Sequence, residues 1–198
     1  MDKSLKSLNI FSLHTRILGD KKKRHAVFTW SKGKGPGIFL IQESHSHPEK
    51  ESEWRSMWDG TIEFSHGTLN SRGLAILISH DIDINIDNIE TDISGRILIL
   101  KGTVPDLNLV IVNIYARTVD KRLDQVTCAN TLCDTLEKYN GDNIILGGDW
   151  NISIDTLSPD VLSTKNPDYS NKLSQIIEAH NLVDIWRIQH PGYIRYTC

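Results

Sequence analysis

A chain of 198 residues, 39% hydrophobic and 24% charged, has the length and balance of one globular domain with one core, which excludes long disorder and fibrous repeats. Its formal net charge of -3 supplies no general attraction to phosphate backbones, so any contact with nucleic acid has to come from a local basic face. Cys128, Cys133 and Cys198 form neither a paired disulfide framework nor a metal-ligand spacing, and residues 1–8 contain no uninterrupted apolar stretch, so free thiols, an intracellular setting and no membrane span are expected.

The basic run Lys21-Lys22-Lys23-Arg24 reads as a solvated loop that can meet phosphates. Residues 38–41, Ile-Phe-Leu-Ile, form the first short apolar run, with the length and β-branched content of a strand buried on both faces. Residues 51–58 have helical spacing, with Trp54 and Trp58 four apart and read as core. A second buried strand follows at 74–78. Then Ile82, Ile84 and Ile86 alternate with Asp81, Asp83, Asn85 and Asp87, the pattern of a strand with one wet face.

Residues 97–100 and 109–114 are further buried strands. Helical periodicity returns at 121–138 through Leu123, Val126, Leu132 and Leu136, and 144–146 is the last strand. Residues 157–170, with Pro159 and Pro167, read as a loop; 172–179, with Leu173, Ile176 and Ile177, as a helix that Asn181 caps. Strands buried on both faces and separated by amphipathic helices imply sheets covered by helices.

A buried strand can present a polar side chain only where it emerges, so strand ends are where chemistry is sought. Glu43 stands just past the strand at 38–41, Asn113 and Tyr115 close the strand at 109–114, and Gly147-Gly148-Asp149-Trp150-Asn151 follows the last strand. The two glycines are expected to let the chain turn sharply there, and Asp149 and Asn151, two apart in extended chain, to point to one side. A carboxylate that orients water, an amide that donates to an oxyanion and a second carboxylate that holds a divalent cation suit phosphodiester hydrolysis. Oxygen ligands of this kind suit Mg²⁺ or Mn²⁺. Glu43, His45 and His47 alternate as a transition-metal site could, but Pro48 follows and no distant Cys/His set completes one.

Four segments occur in order: Leu8-Asn9-Ile10-Phe11-Ser12-Leu13, Leu40-Ile41-Gln42-Glu43-Ser44-His45, Asn113-Ile114-Tyr115-Ala116 and Leu146-Gly147-Gly148-Asp149-Trp150-Asn151. Together they resemble the signatures of the endonuclease/exonuclease/phosphatase superfamily. The connecting segments Phe64-Ser65-His66-Gly67-Thr68, Ser71-Arg72-Gly73-Leu74, Leu182-Val183-Asp184-Ile185-Trp186-Arg187 and Tyr196-Thr197 are similar to the endonuclease domain of LINE-type (non-LTR) retrotransposons. The likeness runs from about Leu8 to Cys198.

The resemblance implies an α/β (α+β) fold, a four-layer sandwich of two packed mixed β-sheets flanked by helices. It implies that Asn9 supports the metal and the carboxylates, Glu43 ligates the metal, Tyr115 contacts the scissile phosphate, Asp149 activates water and Asn151 stabilises the transition state. Arg72 and Thr197 would approach the substrate, and Arg96 would be structural. The implied activity is Mg²⁺- or Mn²⁺-dependent nicking of double-stranded DNA in the nucleus by a monomer, serving a reverse transcriptase of the same element. The family's Ser-(Lys/Arg)-Ile-Asp and Ser-Asp-His segments would fall beyond Cys198, so residues 1–198 are expected to form a single domain lacking its last strands. Arg117 stands where the family has proline, and Gly35-Pro36-Gly37 where it has an aspartate. The rival readings are another phosphodiesterase or phosphatase on the same scaffold, and a catalytically dead remnant.

Overall fold

The apolar runs of the sequence become the inner strands of two sheets that lie face to face. A computed structural model describes residues 8–68, 71–105, 107–117, 121–152 and 166–191. The first sheet has the order β1-β2-β4-β3, from β1 (Ile10–His14), β2 (Ile38–Gln42), β3 (Gly60–Ser65) and β4 (Leu74–Ser79). The second has the order β5-β6-β7-β8, from β5 (Asn85–Thr91), β6 (Ile97–Val104), β7 (Leu107–Tyr115) and β8 (Asn143–Asp149). Helices α1 (Lys21–Lys32) and α2 (Glu51–Met57) precede β3, α3 (Arg122–Leu136) joins β7 to β8, and α4 (Pro167–Ala179) and α5 (Ile185–Gln189) follow β8.

Side-chain alternation explains why these strands are apolar on both faces. Ile38 and Leu40 of β2 pack between the sheets against Leu98, Leu100 and Ile111. Their neighbours Phe39 and Ile41 point the other way, into a cluster with Phe28 of α1 and Trp54 of α2. In the second sheet, Val110, Val112 and Ile114 pack outward against Ala129, Leu132 and Leu136 of α3 and Leu173 and Ile176 of α4. Each fully buried aliphatic side chain of this kind contributes about 1.5–3 kcal/mol. Two sheets and two helical covers make the four-layer mixed sandwich that the resemblance implies. Trp54 and Trp58 are core residues, as their spacing suggests.

Three readings of the sequence are corrected. The run Lys21-Lys22-Lys23-Arg24 is the first turn of α1, because Asp20 caps it by accepting from the Lys23 amide at 2.8 Å. Arg24 is buried, donating to Glu53 at 2.6 Å and to the Leu18 carbonyl at 2.9 Å, so only the three lysines are left to solvent. The wet-faced strand starts at Asn85, and Ile82 and Ile84 pack under the sheets ahead of it. Helix α4 starts at Pro167, inside the expected loop, since proline at the first helical position has no amide to satisfy. Asn181, at φ 50°, ends α4 as expected. Strands β1 and β3 and helices α1 and α5 were too short or too polar to stand out.

Each sheet contains one parallel pair, β1 with β2 and β7 with β8. The carboxyl ends of both pairs lie together, and there the sheets are tied by polar bonds. Gln42 Nε2 donates to Asn113 Oδ1 at 2.7 Å, and Asn113 Nδ2 donates to the carbonyls of Ile41 and Ala75 at 3.0 Å each. Both side chains are fully buried, so this bridge fixes one sheet against the other directly beneath the strand ends.

Candidate active site

Ligands of parallel strands bind beyond their carboxyl ends, and four strands deliver polar residues to that point here. His14 ends β1, Glu43 follows β2, Tyr115 ends β7 and Asp149 ends β8. The first three open onto a cleft of ≈ 460 Å³ that His14, Arg16, Ile17, Glu43, His45, Ser71, Tyr115 and Asn151 line.

The Tyr115 hydroxyl donates to Glu43 Oε1. His14 stands between the two carboxylates, with Nε2 3.0 Å from Glu43 Oε2 and Nδ1 2.8 Å from Asp149 Oδ2. Its ring meets the Tyr115 ring edge-on, centroids 5.6 Å apart. The other Asp149 oxygen accepts from the Asn151 amide at 3.0 Å, and Asn151 Nδ2 donates to the Ala116 carbonyl at 2.8 Å. Arg96 braces Tyr115 from behind, donating to its carbonyl at 2.9 Å with the guanidinium 5.3 Å from the ring.

Burial raises the Glu43 carboxyl pKa, but hydrogen bonds from Tyr115 and His14, with the nearby His14 and His45 charges, outweigh it, and the net displacement is below the ordinary 4.5. Burial first, and the Glu43 carboxylate second, push the Tyr115 phenol well above 10. Glu43 is therefore an anion and Tyr115 a neutral donor at neutral pH.

Among the described residues, the non-glycine backbone with positive φ gathers around this cleft, Asn181 apart. Arg16, Ile17, Glu43, His45, Arg72 and Asn151 have φ between 46° and 74°, and five of them line the cleft. A β-branched residue at φ 74°, as at Ile17, is a genuine outlier. Such strain persists where surrounding structure over-determines it, and it gathers at functional sites. The tethers are visible: the Ile17 and Leu18 amides donate to the Glu43 and Ser44 carbonyls at 3.0 and 3.1 Å, and the His45 amide donates to the Arg72 carbonyl at 2.9 Å.

Glu43, Tyr115, Asp149 and Asn151 are thus brought together, whereas Asn9 is not. Asn9 precedes β1, is exposed, and donates to the Pro36 carbonyl at 3.2 Å. Parallel register sets Ile10 beside Ile38 and His14 beside Gln42, so Asn9 lies at the opposite end of β1, about 15 Å of strand from the site. The side chain that reaches both carboxylates is His14. Arg72 adjoins the cleft residue Ser71, but its guanidinium donates to the Ser94 carbonyl at 3.3 Å. Thr197 lies outside the described residues.

Two further expectations change in their mechanism. Gly147 and Gly148 belong to β8 itself, where a side chain at Gly147 would strike Leu40 of the facing sheet at 2.4 Å and one at Gly148 the Ile114 carbonyl at 2.0 Å. They permit close packing beneath the site. Asn151 is aimed by a left-handed turn closed on Asp149 rather than by extended alternation. His66, in the connecting segment, holds the loop after Glu43, with Nδ1 3.0 Å from Ser46 and Nε2 2.8 Å from Glu51.

Sequence reasoning missed His14, and the signal was the period of two: Phe11 and Leu13 face the helices, so Ile10, Ser12 and His14 face the other sheet. It also left unassigned the tie between Gln42 and Asn113.

Mg²⁺ is held by one or two carboxylates and keeps several waters. The carboxylate of Glu43, which lines the open cleft, and that of Asp149, joined to it through His14, fit such an ion. Among the described residues no cluster of three or more His, Cys, Asp or Glu forms a ready-made cage. Among those residues, too, no helix is long and apolar enough to cross a membrane.

No protein-family model matches the chain. Over 192 residues, 96% of its length, the chain is 27% identical to the Transposon TX1 uncharacterized 149 kDa protein of Xenopus laevis, and it spans 14% of that protein. An AP endonuclease from Archaeoglobus fulgidus aligns with 96% of the chain and 77% of its own structure, at a TM-score of 0.74 and 21% identity. TDP2 from C. elegans aligns with 76% of the chain and 50% of its own structure, at a TM-score of 0.55 and 19% identity. The two solved structures share this fold, and the transposon protein shares sequence along nearly the whole chain.

Proposed function

We propose that this chain, built on the endonuclease/exonuclease/phosphatase fold and related in sequence to a transposon protein, is a divalent-metal-dependent endonuclease that nicks double-stranded DNA. The observation that carries the proposal is the convergence of Glu43, Tyr115 and Asp149 from both sheets on one strained cleft.

In this reading Glu43, kept anionic by Tyr115, holds the cation. A divalent cation bound at Glu43 would supply neutralisation of charge on the scissile phosphate. Asp149, held by the Asn151 amide, orients and accepts a proton from the attacking water. The Asn151 side-chain amide, anchored through Nδ2 on the Ala116 carbonyl, would donate to a phosphoryl oxygen, and Tyr115 would donate to the same group once the phosphate displaces its bond to Glu43. Arg72 and Thr197 would contact the DNA. The 3′-hydroxyl left by the nick would prime a reverse transcriptase of the same element, in the nucleus. Residues 1–198 would belong to one domain acting as a monomer.

A supercoiled-plasmid assay with Mg²⁺ or Mn²⁺, run on the chain and on Glu43→Gln and Asp149→Asn, tests this. Open circles from the wild type alone are expected. Release of phosphate from phosphoinositides with no nicking would replace DNA as the substrate, and no hydrolysis of either by a folded chain would leave a non-catalytic remnant.

A further inference from the structure

We propose that His14 is a nitrogen ligand of the cation held at Glu43, and that it tilts this site from Mg²⁺ towards Mn²⁺. The inference rests on the proposed metal role of Glu43 and adds to it a donor type that no carboxylate supplies.

His14 contacts both carboxylates, through a different ring nitrogen for each. Its position is not a matter of side-chain chance. The parallel register sets it beside Gln42, one residue before Glu43, and the Tyr115 ring flanks it. The ring is 32% exposed and lines the cleft together with Glu43, so an ion entering the cleft meets Nε2 and Glu43 Oε2 within 3.0 Å of each other. Both are donors a divalent ion can share. Glu43 itself is pinned by Tyr115 and by its left-handed backbone, so the pair is presented as a unit.

Imidazole changes which ion such a pair prefers. Mg²⁺ takes oxygen ligands and dehydrates reluctantly, whereas affinity at sites with nitrogen ligands climbs along the first transition series from Mn²⁺ upward. An oxygen-only site would bind the two ions much more alike. His14 would also keep the second nitrogen on Asp149, the arrangement in which a ligating histidine is oriented by a carboxylate.

The test is Mn²⁺ binding to the full chain, without substrate, with titration for affinity and electron spin-echo envelope modulation for the nitrogen. The expected result is a saturable site lost in Glu43→Gln, with a histidine ¹⁴N modulation that His14→Asn and His14→Gln remove and His45→Gln keeps. Mn²⁺ should bind the wild type about 10-fold or more tighter than Mg²⁺, and that ratio should shrink in the His14 variants. A site that needs Glu43 but shows no histidine nitrogen, or loses it with His45, overturns this inference and leaves the metal role of Glu43 intact. That reading is instead overturned by Mn²⁺ binding unaffected in Glu43→Gln, and both by the absence of any saturable site. The wild-type spectrum decides the question even where the His14 variants do not fold.

Discussion

Tyr115 and Glu43 are joined by a hydrogen bond that spans the two sheets, from the last residue of β7 to the residue after β2. Two neighbouring contacts, His14 on Glu43 and His14 on Asp149, extend that bond into a chain across the cleft.

Removing the hydroxyl in Tyr115→Phe takes a donor from Glu43 and from the phosphate it would meet. A fall in kcat of about 10²-fold is expected with the fold retained, measured by plasmid nicking beside circular dichroism.

The same variant has a pH signature. The folded Glu43 pKa lies below 4.5, so its contribution to stability is complete above that value and is lost as pH falls through the folded pKa. Tyr115→Phe removes one cause of the displacement. Urea unfolding of both proteins from pH 6 down to pH 3, roughly the window set by that linkage, should show a smaller acid loss in the variant. Equal slopes would mean that Tyr115 does not hold the Glu43 proton affinity down.

Asn113→Ala deletes the centre of the bridge between the sheets, taking one acceptor from the buried Gln42 amide and the side-chain donor from the Ile41 and Ala75 carbonyls. A loss of about 2–4 kcal/mol is expected in urea unfolding, with catalysis falling further than stability because Glu43 and Tyr115 stand on opposite sides of the bridge.

Gly148→Ala places a methyl group 2.0 Å from the Ile114 carbonyl at a φ of 135°. Neither strand can yield without moving Asp149. Destabilisation of about 3 kcal/mol or more is expected, read as a depressed midpoint or as insoluble chain on expression.

Asn9→Ala separates the register of the structure from the order of motifs in the sequence. Because Asn9 sits at the far end of β1, nicking within about twofold of wild type is expected, consistent with a surface change. A loss comparable to that of Asp149→Asn would mean that β1 is shifted in register.

Much of this protein is legible without coordinates. The length and branching of the runs at 38–41, 74–78, 97–100 and 109–114 require strands buried on both faces, because no other environment repays so many adjacent apolar side chains. Polar residues at the ends of such runs reach the sheet edge, and so Glu43, Tyr115 and Asp149 could be named from the sequence, whereas Asn113, polar within its run, is paired inside the core. Short-range pattern carries that information in full. Which end of which strand meets which is different, because pairing and register are set by contacts between residues far apart in the chain. The register of β1 on β2 exchanged Asn9 for His14, the packing of β8 on Leu40 and Ile114 explained two glycines that read as a turn, and a left-handed residue aimed Asn151. The candidate site residues were legible locally, and their company was decided by the closing of two sheets over one polar bridge.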